Sequence, residues 1–599
     1  MSVTADFTFS DTVAGYVRHR GDDWAQLSTL DSRDVVVHLT DRTSARLVRN
    51  LGEPAADVTE RIADLLVPGQ LVFSHGPVYP GPHFHCAQLT FVGEEPGHRV
   101  FDAPSWWTDQ LRELARFYRR AQFGDGPVDF DRYRTGVTLH GNRVGDLQET
   151  DTISRLVYGM AAGYLLTGDE ELLDVAERGS DHLRRNLRFV DGDLVYWYHG
   201  LEAGGRKLFA SEFTDDHGAI PAYEQIYALA GPVQTYRVTG DPALRADIEG
   251  TVRLFARHYA DPQRGGYFSH LDPVTLDPHA ESLGPNRSRK NWNSIGDHAP
   301  AYLFNLYLAT GEDRYLSMLE ETFDLVVSHF PDDPAVSPFV RERFHRDWTP
   351  DLEWGWQRDG AVVGHNLKIA WNLVRMNSLV AKHDYRALAE RIAATMPAVG
   401  RDPRRGGWYD VVQRRAEDGR HPFVWHDRKT WWQQEQAILA YLVLAGTGGD
   451  REHLRHAVES EAFYNAFFLD HDDGGVYFAV LADGMPYLLG TERGKGSHSM
   501  SMYHAAELCF LATVYRRLLV RDEPLDLWFR PRPDADFPDR LLRVAPDALP
   551  PGRVVLDRVL VDGRPSRDFD PEAMTVPLPD STEPVTVQVR LRPTRGERR

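Results

Sequence analysis

Four phrases in this chain share a grammar: "LLTGDEELLDVA", "RVTGDPALRADI", "LATGEDRYLSML" and "AGTGGDREHLRH". Their Thr-Gly pairs begin at Thr167, Thr239, Thr310 and Thr447, about seventy residues apart except for a last gap twice as long. A degenerate copy, "VAKHDYRALAERI", fills that gap. Each copy reads as an inner helix ended by a glycine turn, followed by an outer helix that opens at an acidic cap. A second phrase, "RGGYF", "RGGWY" and "DGGVYF", marks glycine turns that lead into short strands. Roughly 415 residues at about seventy per hairpin give six hairpins, which suits a closed (α/α)6 toroid better than an open solenoid with polar caps.

The text changes style at both ends. Up to about Asp102 it runs in short β-like stretches, "DVVVHLT", "QLVFSHG" and "CAQLTFVG", and it returns to that style in "GRVVLDRVLVDG" and "EPVTVQVRLRP". The expected organisation is therefore mainly α: a β-rich N-terminal domain over 1–103, the toroid over 104–520, and a β-rich C-terminal module over 521–599.

Composition narrows the function classes. A formal charge of -20, from 88 acidic against 68 basic residues, argues against a nucleic-acid or anionic-membrane partner. The opening "MSVTADFTFSDTVAGYV" has no basic then apolar leader pattern and no long apolar run occurs, so a cytoplasmic location is expected. Cys86 and Cys509 are too few for a disulfide framework. In "GPHFHCAQL", His83 and His85 share a strand face but give only two ligands, so no metal site is expected there.

In a toroid, the inner helices deliver residues to a central cavity. Histidines recur at the starts of these helices: His298 in "NWNSIGDHAPAYLFNLYLATG", His365 in "GHNLKIAWNLVRM" and His504 in "GKGSHSMSMYHAAELCF". Arg155, Tyr223, Gln225, Trp431, Trp432 and Glu435 occupy corresponding stretches of other inner helices.

The region from about 105 to 520 resembles the N-acylglucosamine 2-epimerase superfamily, which includes cellobiose 2-epimerases and aldose-ketose isomerases. "HAPAYLFNLY" is similar to the family's His-x-x-Glu-Ala-x-x-Asn-Leu-Tyr, and "GHNLKIAW" to its Gly-His-x-x-Glu-x-x-Trp. "SRLVYGMAAGYLLTGD" resembles the segment that supplies a substrate-binding arginine, here Arg155. "YEQIYAL" and "WWQQEQA" match two more segments, the latter keeping Glu435. In the last segment the family's Lys-Gly-x-Tyr-His is split as "KGSHSMSMYH", so His504 keeps the aromatic-His pair while His498 stays close behind Lys495; His504 is favoured.

The resemblance implies a cofactor-independent sugar 2-epimerase or aldose-ketose isomerase. Such chemistry moves a proton alpha to a carbonyl through an enediolate, and imidazoles suit it because each serves as acid or base near neutral pH. His365 and His504 would be the acid/base pair, with His298 assisting. Arg155 would hold the oxyanion. Trp292, Trp371, Trp431 and Trp432 would offer apolar walls, beside Tyr223, Gln225 and Glu435 as substrate contacts. A homodimer is compatible with the sequence.

The chain departs from the family pattern at three places. Ala301 and Lys368 replace glutamates, and Glu507 falls near a missing arginine. One helical turn from His365, Lys368 is expected to favour the neutral imidazole or to bind an anionic substrate. Two other readings compete: a glycoside hydrolase using Asp215 or Asp216, Glu353 and Glu435 as its carboxyl pair, and a non-catalytic carbohydrate-binding protein.

Overall fold

The computed structural model describes residues 8–80, 84–424, 427–578 and 580–594. The Thr-Gly phrases do their work through local hydrogen bonds. Thr167, Thr239, Thr310 and Thr447 each donate to the carbonyl four residues back, at 2.7, 2.9, 2.8 and 2.8 Å, which holds the last helical turn. Gly168, Gly240 and Gly311 then take left-handed φ values of 67°, 69° and 67°, where a side chain would be strained. Asp169, Asp241 and Asp450 cap the next helix by accepting from the amide two residues on.

The helices so bounded are α1 (Trp106–Phe123), α2 (Thr150–Thr167), α3 (Glu170–His182), α4 (Ala222–Ala228), α5 (Ala230–Thr239), α6 (Pro242–Leu254), α7 (Phe304–Thr310), α8 (Asp313–His329), α9 (Val363–Leu379), α10 (His383–Val399), α11 (Trp431–Gly448), α12 (Arg451–Phe467) and α13 (Tyr503–Tyr515). The degenerate copy is helical as expected, in α10. Inner helix packs on inner helix in the order α2, α5, α7, then α9, α11, α13, and α13 returns to α2. Between α7 and α9 the Arg375 guanidinium lies 4.0 Å over the Phe304 ring. Five inner helices pair with the outer helix that follows them. The sixth, α13, packs on α1 from the other end of the helical region, so the last pair is assembled from remote segments.

The double-glycine phrases form a second repeated device. Buried Lys290, Lys429 and Lys495 each pair with an aspartate (Asp261, 3.1 Å; Asp402, 3.1 Å; Asp470, 2.5 Å). Each lysine also donates to the carbonyl of the first glycine, Gly265, Gly406 or Gly474. A buried ammonium is tolerable only with such partners.

Seven strands occupy the N-terminal end: β1 (Phe9–Arg20), β2 (Trp24–Thr29), β3 (Asp34–His38), β4 (Ser44–Leu47), β5 (Leu71–Val78), β6 (Phe84–His85) and β7 (Gln88–Phe91). They run in the order β1-β2-β3-β6-β5-β7-β4, with β1 also paired to β5. This sheet leans on a glycine turn of the helical region: Ala14 N–H donates to the Arg404 carbonyl at 2.8 Å, and Asp11 pairs with Arg405 at 2.5 Å.

A four-stranded sheet closes the chain, with β8 (Leu525–Phe529), β9 (Val554–Val561), β10 (Arg564–Ser566) and β11 (Val587–Pro593) in the order β8-β11-β9-β10. The segments around it cover the C-terminal ends of the inner helices. Trp528, Phe537 and Arg543 sit where side chains on Gly168, Gly240 and Gly311 would be. Asp547 enters a buried pair with Arg375 and accepts from Tyr515 at 2.9 Å. Polar side chains at the opposite, N-terminal ends of the inner helices are left to form a site. Among the described residues no helix is long and apolar enough to cross a membrane.

Candidate active site

His365 lies in the first turn of α9 with its side chain 21% exposed. Its Nδ1–H donates to Glu342 Oε2 at 2.7 Å, because a carboxylate can only accept. Glu342 is itself fixed: its N–H donates to Gln357 Oε1 at 2.6 Å and its carbonyl accepts from Trp292 N–H at 2.8 Å. That bond sets the tautomer and leaves Nε2 for chemistry. The Trp432 ring stands 5.1 Å from the imidazole, and Trp292 6.2 Å.

His504, at the start of α13, lies 6.1 Å from the same Trp432 and 6.1 Å from buried Trp431. Its Nδ1 is buried without a hydrogen-bond partner, 3.8 Å from Glu507. Burial holds its pKa well below the ordinary histidine range, and the nearby Lys368 and Arg155 cations reinforce the shift. His504 is therefore a neutral imidazole across the physiological range. Trp432 is thus a ring neighbour of both histidines.

Arg155, on α2, is fully buried and donates to Tyr223 Oη at 2.6 Å. Its guanidinium lies 3.8 Å over the Tyr227 ring and 5.7 Å over Tyr503, which holds the cation at a fixed place. Its Nη1 is buried without a partner.

Lys368 differs from the sequence expectation. Its Nζ forms a buried pair with Asp297 at 2.6 Å and donates to Tyr227 Oη at 3.1 Å, so it is not a spare cation for an anionic substrate. Its charge helps to hold the His504 pKa down.

Packing places two of the expected residues apart from this group. His298 is fully buried among Phe255, Tyr267 and Tyr302, bonded to Tyr302 Oη at 2.8 Å, and burial takes its pKa down to about 3. A π-helical turn, Ala299–Leu303, follows it. Such a turn holds one extra residue, about 100° of helical rotation, and Asp297 rather than His298 meets Lys368. Gln225 is also occupied elsewhere: its amide accepts from Trp197 N–H and donates to Trp197 C=O, at 2.9 and 2.8 Å. Gln434 holds the Trp408 backbone in the same way, so this glutamine is part of the repeat.

The carboxyl groups of the hydrolase reading are scattered. Glu435 is fully buried, accepts from Tyr464 at 3.3 Å, and is pushed well above the ordinary carboxylate range by burial. Glu353 is on the surface, Asp215 is exposed, and Asp216 bonds His270 at 2.7 Å. Trp371 Nε1 donates to Gln436 at 2.8 Å, away from both histidines. His498 belongs to a separate cluster with Glu149. In the N-terminal motif, His83 lies outside the described residues and His85 packs on the rings of His38 and Tyr79. Sequence reasoning missed Glu342, Asp297 and Tyr227, the last signalled by its helical spacing of four from Tyr223, and read Tyr503 only as the aromatic partner of His504.

The model for the family described as N-acylglucosamine 2-epimerase (GlcNAc 2-epimerase) matches residues 141–507, which takes in Arg155, His365 and His504. The chain belongs to the N-acylglucosamine 2-epimerase family. Among curated relatives of this family member, a cellobiose 2-epimerase of Bacteroides fragilis is 22% identical over 362 residues, spanning 59% of this chain and 85% of that protein. One from Ruminococcus albus is 22% identical over 401 residues, 64% and 89% of the two chains. Of solved structures, a D-mannose isomerase superposes with a TM-score of 0.58 at 17% identity, covering 69% of this chain and 99% of that one. The cellobiose 2-epimerase of Bacillus thermoamylovorans gives 0.56 at 16% identity, with 68% and 99% covered. The span that the family model matches lies within the helical region, between the two end sheets.

Proposed function

We propose that this family member interconverts reducing sugars at C2, as a 2-epimerase or an aldose-ketose isomerase, by histidine acid/base catalysis through an enediolate. The observation that carries this is the placement of His365, backed by Glu342, and of neutral His504 beside the same indole, that of Trp432. Relatives that are cellobiose 2-epimerases, and the fold shared with a D-mannose isomerase, support the substrate class.

The neutral imidazole removes the C2 proton of the open-chain sugar, and electron density moves to the carbonyl oxygen. Arg155 neutralises that oxygen, with its buried Nη1 available as donor. Returning a proton to C2 on the opposite face gives the epimer. Delivering it to C1, with the hydroxyl proton passed from O2 to O1, gives the ketose. Glu342 holds the His365 Nδ1–H and so orients the ring, with Nε2 toward the sugar. Trp432 offers the apolar face of its indole to a sugar ring, and Tyr223 a hydroxyl at the mouth.

The same proposal includes the (α/α)6 toroid, its extent over 104–520, the 1–103 and 521–599 modules, a cytoplasmic location, and a homodimer with no nucleic-acid partner. Proton NMR in D2O over a panel of monosaccharides, disaccharides, N-acylated and anionic sugars tests the chemistry. Deuterium entering C2 or C1 of at least one sugar is expected. None entering any of them would sink the reading.

A further inference from the structure

A second group of titratable side chains sits where the helical region closes on itself. Glu149 immediately precedes α2 and Asp151 lies in its first turn, while His498 comes from the segment that leads into α13. One ligand atom from each of Glu149, Asp151 and His498 lies within 4.8 Å of the other two. His498 Nδ1 stands 3.0 Å from Glu149 Oε1, and His199 Nε2 stands 3.6 Å from that same oxygen.

Two further observations point to a ligand. Glu149 is 4% exposed, and its Oε2 is buried with no hydrogen-bond partner, an unfavourable arrangement that a bound cation would relieve. His199, 3% exposed, has its Nδ1 bonded to Glu224 Oε1 at 2.9 Å. A carboxylate behind an imidazole fixes the tautomer so that the Nε2 lone pair faces the cluster, as the outer partners of metal-bound histidines do.

We propose that Glu149, Asp151 and His498, with His199 as a fourth donor, bind a divalent transition-metal cation of the zinc or manganese class. Two imidazoles with two carboxylates suit these ions, whereas calcium and magnesium favour oxygen-only sets. Donors on opposite sides of such an ion are about 4 Å apart, so small side-chain movements bring the cluster to bonding range. His498 is the most accessible member, its side chain 10% exposed beneath the stacked ring of Phe213. The ion would join the first inner helix to the entry of the last. Asp151 also stands 3.4 Å from Arg155 Nε, so the ion would sit behind the guanidinium of the catalytic site.

The test uses the full-length chain after chelator treatment, with Zn2+ and Mn2+ salts as the probes. Calorimetry for both ions and electron paramagnetic resonance for Mn2+ should show one saturable site per chain and a raised melting temperature. Glu149→Gln and His498→Gln should each weaken binding at least tenfold, and Glu224→Gln by about 10-fold to 100-fold through His199. Circular dichroism identifies which variants are folded, and His498→Gln serves if Glu149→Gln is not. No saturable binding of either ion below about millimolar, or unchanged affinity in a folded Glu149→Gln or His498→Gln variant, overturns the proposal. Because the readout is binding, its failure leaves the sugar chemistry untouched, and failure of the sugar chemistry leaves it standing.

Discussion

His298 and His365 open adjacent repeats at matching places, but their surroundings differ in three respects. His365 enters a regular helix, keeps part of its surface open, and has a carboxylate behind Nδ1. His298 enters a π-helical turn, is sealed among aromatic rings, and bonds the neutral hydroxyl of Tyr302. The difference teaches that one residue of helical phase decides whether a repeated histidine faces the site or the wall. It also explains Lys368, since the shifted turn presents Asp297 to pair with it.

Breaking the side of the comparison that faces the site should have the largest effect. His365→Asn and His504→Asn are each expected to lower kcat by about 10^2 to 10^4, measured by sugar turnover. Glu342→Gln keeps the shape but removes the charge behind His365. A fall in kcat of about 10-fold to 100-fold is expected, and Glu342→Asp should partly rescue it. Trp432→Ala should act mainly on KM, raising it by about tenfold through lost ring contact. An equal fall in kcat with KM unchanged would remove Trp432 from binding.

The wall side should answer in stability. His298→Asn is expected to leave kcat within about threefold while costing about 1–3 kcal/mol in denaturant unfolding. Its pH signature has a definite sign. The folded-state pKa is about 3 against an ordinary 6.5, so the unfolded chain binds the proton first. The stabilising contribution of neutral His298 is complete above about pH 6.5 and lost as pH falls toward 3. The variant should therefore lose less stability than wild type over that window, and an equal loss would refute the burial argument.

The repeat and the ends of its helices were legible because their causes are local. A threonine bonded four residues back, a left-handed glycine and an aspartate cap all fall within a few positions, as at Thr239, Gly240 and Asp241. Arg155, Trp432, His365 and His504 were legible from position within that repeat and from family segments. The π-helical turn was not, since nothing in "DHAPAYL" distinguishes it from a regular helix. Glu342 and Asp297 were hidden because their partners lie 23 and 71 residues away. The partner of α13 was hidden for the same reason, and the Glu149–His498 contact spans 349 residues. The backbone clamp that Gln225 shares with Gln434 was hidden as well, since in sequence alone such a glutamine resembles a ligand contact.

The most direct measurement is deuterium entry from D2O into a sugar that wild type turns over, followed by NMR in three folded variants. Exchange should be lost in His365→Asn and His504→Asn and retained in His298→Asn. Exchange persisting at the wild-type rate in either of the first two, or vanishing in the third, would contradict the assignment of the acid/base pair.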